Sequence, residues 1–89
     1  MYSNQIGLNE LVLNGMDKKR QDIAYFVSFC IEQYKNEKQI TGAEAMRQLD
    51  EYKVLDYLAE HYEVLHTQSR QWILEDIEEF IKFRKQKNV

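Results

Sequence analysis

Tyr62-Glu63-Val64-Leu65-His66-Thr67-Gln68 carries one apolar helical stripe to its end and leads towards the next. Tyr62 and Leu65 complete an inward pattern that starts at Val54, Leu55 and Leu58 and returns at helical spacing. His66 suits a helix C-terminus, where an imidazole meets the negative end of the dipole and the last free carbonyls. Thr67 then reads as the cap of the following helix. The stretch predicts two helices joined by a short link, and a short link favours antiparallel neighbours in a bundle.

Working outward, the helix after the link is expected from Gln68 or Ser69 to about Lys85, with Ile73, Ile77, Phe80 and Ile81 inward and Leu74 at the edge. The helix before it covers about Val54 to Leu65. Further upstream, Thr41-Gly42-Ala43-Glu44 has the form of a capping box, in which Thr41 accepts from a backbone N–H and Glu44 reaches back. A short helix follows, with Ala45, Met46, Leu49 and Tyr52 on its inner face. The first main helix is expected from Asp17 to Lys38, on Ile23, Val27, Cys30, Ile31 and Tyr34, with Phe26 broadening the stripe. So wide an arc suits a helix that touches several neighbours. Proline is absent and glycine occurs only three times, so little interrupts long helices. The expectation is an all-α bundle of about four helices over residues 16–89. Residues 1–15, where Gly7 and Asn14-Gly15 bracket Leu8, Leu11, Val12 and Leu13, form an N-terminal arm or short extra helix.

Eighty-nine residues suit one domain. A net charge of −3, with basic runs only at Lys18-Lys19-Arg20 and from Lys82 to Lys87, argues against nucleic acid as a partner. No stretch approaches the ~20 apolar residues that span a bilayer, so no membrane partner is expected. One cysteine permits no internal disulfide, which fits a reducing cytoplasm.

Phe29-Cys30-Ile31-Glu32, Thr41-Gly42, Val54-Leu55-Asp56-Tyr57, Tyr62 with Val64-Leu65-His66-Thr67, and Asp76-Ile77 follow one another in an order that resembles a bacterial family of short helical proteins, domain of unknown function 3791. The resemblance runs from Phe26 to Ile81. It departs at Lys53, where the family tends to carry a small residue. It implies a partner or antitoxin-like role beside proteins resembling ADP-ribosyltransferases, and it carries over no catalytic residues.

Chemistry has few footholds. Cys30 and His66 are the obvious nucleophile and base, but Cys30 stands in mid-stripe, where a thiol behaves as a small hydrophobe. His61 and His66 are five apart, whereas helical metal ligands on one face are three or four apart, so no metal or other cofactor is expected. Glu75-Asp76 and Glu78-Glu79 read as solvated faces, since adjacent helical residues diverge. Asp76 lies at the border of the inward face, and a Tyr62 hydroxyl to Asp76 carboxylate bond is expected to fix the register of the last two helices. The competing reading makes Tyr62, His66 and Asp76 a shared polar pocket, hence a small enzyme or ligand site.

What remains is an outward aromatic surface. Tyr25, Phe29 and Glu32 group on the first helix. Trp72, Glu79 and Phe83 align on the last, with Asp76 beside them. Large rings on faces otherwise polar suggest contact with a protein, against the alternative that the helix buries both faces internally. The functional expectation is a non-enzymatic protein-binding module. Its partner is a second protein or, as a structural homodimer, another copy of the chain.

Overall fold

A computed structural model describes residues 18–87, and the expected N-terminal arm lies outside the described residues. The described residues form five helices in order: α1 (Lys18–Lys38), α2 (Gly42–Glu51), α3 (Val54–Glu60), α4 (Tyr62–Leu65) and α5 (Arg70–Lys87). Among the described residues there is no strand. The chain is all-α, as its periodicity requires.

The first helix ends in a Schellman closure. Gln39 takes a left-handed conformation (φ 56°), Ile40 N–H donates to the Lys35 carbonyl and Gln39 N–H to that of Asn36. Ile40 then packs against the core. The chain reverses at once, because Thr41 Oγ1 accepts from Glu44 N–H at 3.1 Å and starts α2. Only this half of the expected box forms. The Glu44 carboxylate turns forward instead, to Arg47 and Gln48. It is held down at about 2 by the hydrogen bonds from Arg47 and then Gln48. Met46 is exposed, contrary to its expected inward place, because Ala45 and Leu49 take the buried positions of α2.

Lys53 joins α2 to α3 in the left-handed region, at φ 63° and ψ 27°. The helix expected to be continuous from Val54 to Leu65 bends at His61, whose φ of −106° and ψ of 25° divide it into α3 and α4. The His61 carbonyl then accepts from both Val64 and Leu65, a tightening typical of helix ends. The bend allows Val54 and Leu58 above it and Leu65 below it to be buried together. Thr67 is not the cap of α5. Its hydroxyl donates back to the Val64 carbonyl at 2.8 Å and closes α4, while Ser69 Oγ accepts from Trp72 N–H at 3.1 Å. Thr67 still touches the end of the preceding helix, where bare carbonyls compete for its hydroxyl.

The core forms where these elements meet. Phe26, Cys30 and Tyr34 come from α1, Val54 and Leu58 from α3, and Ile73, Leu74, Ile77 and Ile81 from α5. Long-range pairs set the arrangement. The Tyr34 hydroxyl donates to Gln48 Oε1 at 2.7 Å between α1 and α2. Phe26 meets Tyr62 edge to face at 5.6 Å, between α1 and α4. Arg70 reaches Gln33 and Glu37, and Glu78 reaches Lys38, so that α5 crosses α1. No helix of the described residues is long and apolar enough to cross a membrane.

Candidate interaction face

The helices α3 and α5 lie antiparallel, and their outer seam joins a hydrogen-bonded tyrosine–aspartate pair to a file of rings. The Tyr57 hydroxyl donates to Asp76 Oδ2 at 2.5 Å. This is the bond expected of Tyr62, made by a different tyrosine. Tyr62 instead turns towards α1: its ring meets Phe26 on one side and stacks on His66 at 4.3 Å on the other. His66 Nδ1–H donates to the Tyr62 carbonyl at 2.7 Å, across the end of α4. Tyr62 and His66 therefore stand together, and Asp76 stands apart from them with Tyr57. The shared polar pocket of Tyr62, His66 and Asp76 is not assembled. The bend at His61 lies between the two tyrosines, so Tyr57 on α3 meets α5 while Tyr62 on α4 meets α1.

Tyr57 also anchors a file of rings. It stacks on Phe80 with centroids 4.3 Å apart and planes 22° apart, and the His61 ring lies 5.0 Å from it. The Arg84 guanidinium lies 5.0 Å from the Phe80 centroid, within cation–π range. A shallow cavity of about 380 Å³ opens here, between Lys53, Glu60, His61 and Arg84 at its rim. Partial burial, then the hydrogen bond to Asp76, push the Tyr57 phenol up to about 12. It is a hydrogen-bond donor at neutral pH and no base.

Beside this file lie the residues that the sequence marks as outward. Trp72 is 42% exposed and Phe83 57%, and Glu79 is exposed between them. Lys87 lies 5.6 Å from the Phe83 ring. Asp76 is half-buried at the inner border of the strip, where Tyr57 holds it. On α1, Tyr25 is 77% exposed and Phe29 44%. Tyr25 lines a shallow groove with Ala24 and Ser28. Among the described residues no ring contact joins the α1 pair to the α5 pair, so the structure presents two aromatic outcrops. Periodicity alone could identify the exposed rings. Tyr57, His61 and Arg84 escape it, since each looks like an ordinary solvated or edge position until α3 and α5 are laid side by side.

The Cys30 thiol has no exposed surface, and burial pushes it up to about 12, which removes it as a nucleophile at neutral pH. A second cavity, of about 440 Å³, lies between the end of α1, α2 and the end of α5. Its charges are largely spoken for. Lys38 pairs with Glu78, Arg47 pairs with Glu44 and Glu51, and Lys85 lies over the Tyr52 ring. Among the described residues no cluster of histidine, cysteine and carboxylate side chains is placed to hold a metal ion.

Fold and face together describe a small all-α bundle with an aromatic-rich helical seam on its outer side. The chain belongs to the family described as protein of unknown function (DUF3791), whose profile matches residues 25–84. That span begins at Tyr25 and ends at Arg84, so it contains Phe29, the Tyr57–Asp76 pair, Trp72 and Phe83. The chain matches no curated protein and no solved structure.

Proposed function

We propose that the protein is a non-enzymatic binding module that engages a protein partner through the outer seam of α3 and α5, with Tyr25 and Phe29 on α1 as a second contact. The observation that carries this is the exposure of Trp72 and Phe83 on one side of α5, bordered by Asp76 and Glu79. Exposed tryptophan and phenylalanine at regular helical spacing are costly in water and are the ring types that anchor interfaces. The half-buried Tyr57–Asp76 bond supports the reading, because it holds the acidic border of that face rigidly. The family resemblance adds the kind of partner, an ADP-ribosyltransferase-like protein to which this chain stands as an antitoxin-like companion in a bacterial cytoplasm.

The test is replacement of Trp72 and Phe83 together by alanine. Helical circular dichroism is expected to stay at the wild-type level, since neither ring belongs to the buried core. Co-purification with the products of the adjacent reading frames is expected to fall at least about tenfold, as for loss of two anchor residues. Retention of the partner by the double variant would reject the proposal.

A further inference from the structure

We infer that the occupant of the α5 face is an amphipathic helix of a different protein, carrying Lys or Arg at its middle seam positions and apolar residues at its outer ones. The inference rests on the binding reading above and specifies the partner's chemistry. Trp72, Asp76, Glu79 and Phe83 follow at steps of four, three and four along α5. That is the spacing of a coiled-coil seam, which keeps one line of side chains facing one partner helix. The seam is about 16 Å long at 1.5 Å per residue. Its two ends are aromatic and its two middle positions are acidic. Among the described residues Glu79 has no ion pair, and Asp76 is engaged only through one oxygen by Tyr57.

A second copy of the chain fits this seam poorly. Antiparallel pairing of two α5 helices sets the Glu79 of one copy against the Asp76 of the other, at the centre and on both sides of the axis. Parallel pairing sets each carboxylate against its own counterpart. Either way four carboxylates converge where water is excluded, and like charges so placed are a strong barrier to association. A helix with two central cations meets the same four seam positions with complementary charge, while its apolar ends cover the indole and the phenyl ring. Arg84 and Lys87, which sit by the Phe80 and Phe83 rings, add a polarity. The partner's cations are therefore confined to its two middle positions, and its apolar end over Phe83 carries no flanking cation.

Trp72 is the sole tryptophan, so its emission reports on the seam directly. Two stapled helical peptides serve as probes, each roughly 14 residues or four turns long. Both carry leucine at the outer seam positions. One carries lysine at the two middle positions and the other glutamate. The intact chain is expected to bind the lysine peptide with a blue shift of Trp72 emission and at least about tenfold more tightly than the glutamate peptide, an advantage that shrinks with added salt. The Glu79→Lys variant is expected to lose that preference. Equal affinity for the two peptides, no binding of the lysine peptide, or an unchanged preference in Glu79→Lys would overturn the inference. So would a dimer of the chain alone that dissociates when Trp72 and Phe83 are both replaced by alanine, which would assign the seam to a second copy. The underlying binding reading fails separately: it falls only if the Trp72 and Phe83 double variant keeps its co-purifying partner, whatever the peptides do.

Discussion

Tyr57 shows what a single side chain decides in this molecule. Its hydroxyl closes a 2.5 Å bond to Asp76, its ring stacks on Phe80, and its neighbour His61 leans against it. Tyr62, the residue expected in that role, makes ring contacts with Phe26 and His66 instead. The two tyrosines should therefore respond differently to loss of the hydroxyl. Tyr57→Phe removes a donor from a half-buried carboxylate and is expected to cost about 1–2 kcal/mol in urea unfolding. Tyr62→Phe is expected to stay within roughly 0.5 kcal/mol of wild type, as for a change that keeps the ring and breaks no hydrogen bond. The reverse ranking would show that Asp76 is held by Tyr62 in solution. The signal for the correct tyrosine is present in the sequence, though it requires a register argument. Tyr57 and Asp76 lie nearly equal numbers of residues from the turn at His66 and Thr67, as cross-paired residues of an antiparallel hairpin must.

At the scale of the element, junctions carry the information. Among the described residues Gln39 and Lys53 are left-handed, and both close helices without glycine. A side chain in that conformation strains against its own backbone by roughly 1–2 kcal/mol. Lys53 is also where the chain departs from its family's tendency towards a small residue. Lys53→Gly relieves the clash while adding flexibility to the unfolded chain, and a net gain of roughly 0.5–1 kcal/mol is expected in thermal or urea denaturation. A loss would mean that the Lys53 side chain makes a compensating contact. The sequence was legible at this scale where one local interaction decides. Thr41 starts α2 and the link after Leu65 is short. It was less legible where two groups compete for one partner. Thr67 and Ser69 are both good caps, and which of them caps α5 depends on the free carbonyls at the end of α4. Glu44 had Arg47 and Gln48 as rivals to the backbone N–H, and two charged or polar side chains outcompete one amide.

For the whole molecule, burial fixes how stability responds to alkali. Cys30 is raised from 9.0 to about 12 and Tyr57 from 10.0 to about 12, both chiefly by desolvation. The folded state thus holds both protons where the unfolded chain releases them. Their contribution is intact below about pH 9 and is lost as pH rises towards 12, because the unfolded state then binds fewer protons than the native one. The midpoint of thermal unfolding should therefore drop with increasing slope above about pH 9. Cys30→Ala, though less stable at neutral pH, should show a shallower decline from pH 8 to about pH 10. An equal slope in the two proteins would place the alkaline transition elsewhere.

The order of chemical types along the chain determined the helices, the buried stripes and the outward rings, because each depends on neighbours within a few residues and on the fixed 3.6-residue turn. It also placed the chain in its family. Tertiary structure alone decided which tyrosine meets Asp76, that Tyr62 and His66 turn to α1 while Asp76 stays with α3, and that Arg84 and His61 border the face carrying Trp72 and Phe83. Those pairings depend on the distance and rotation between helices. These are set by how a dozen core side chains pack against each other, which no single segment encodes.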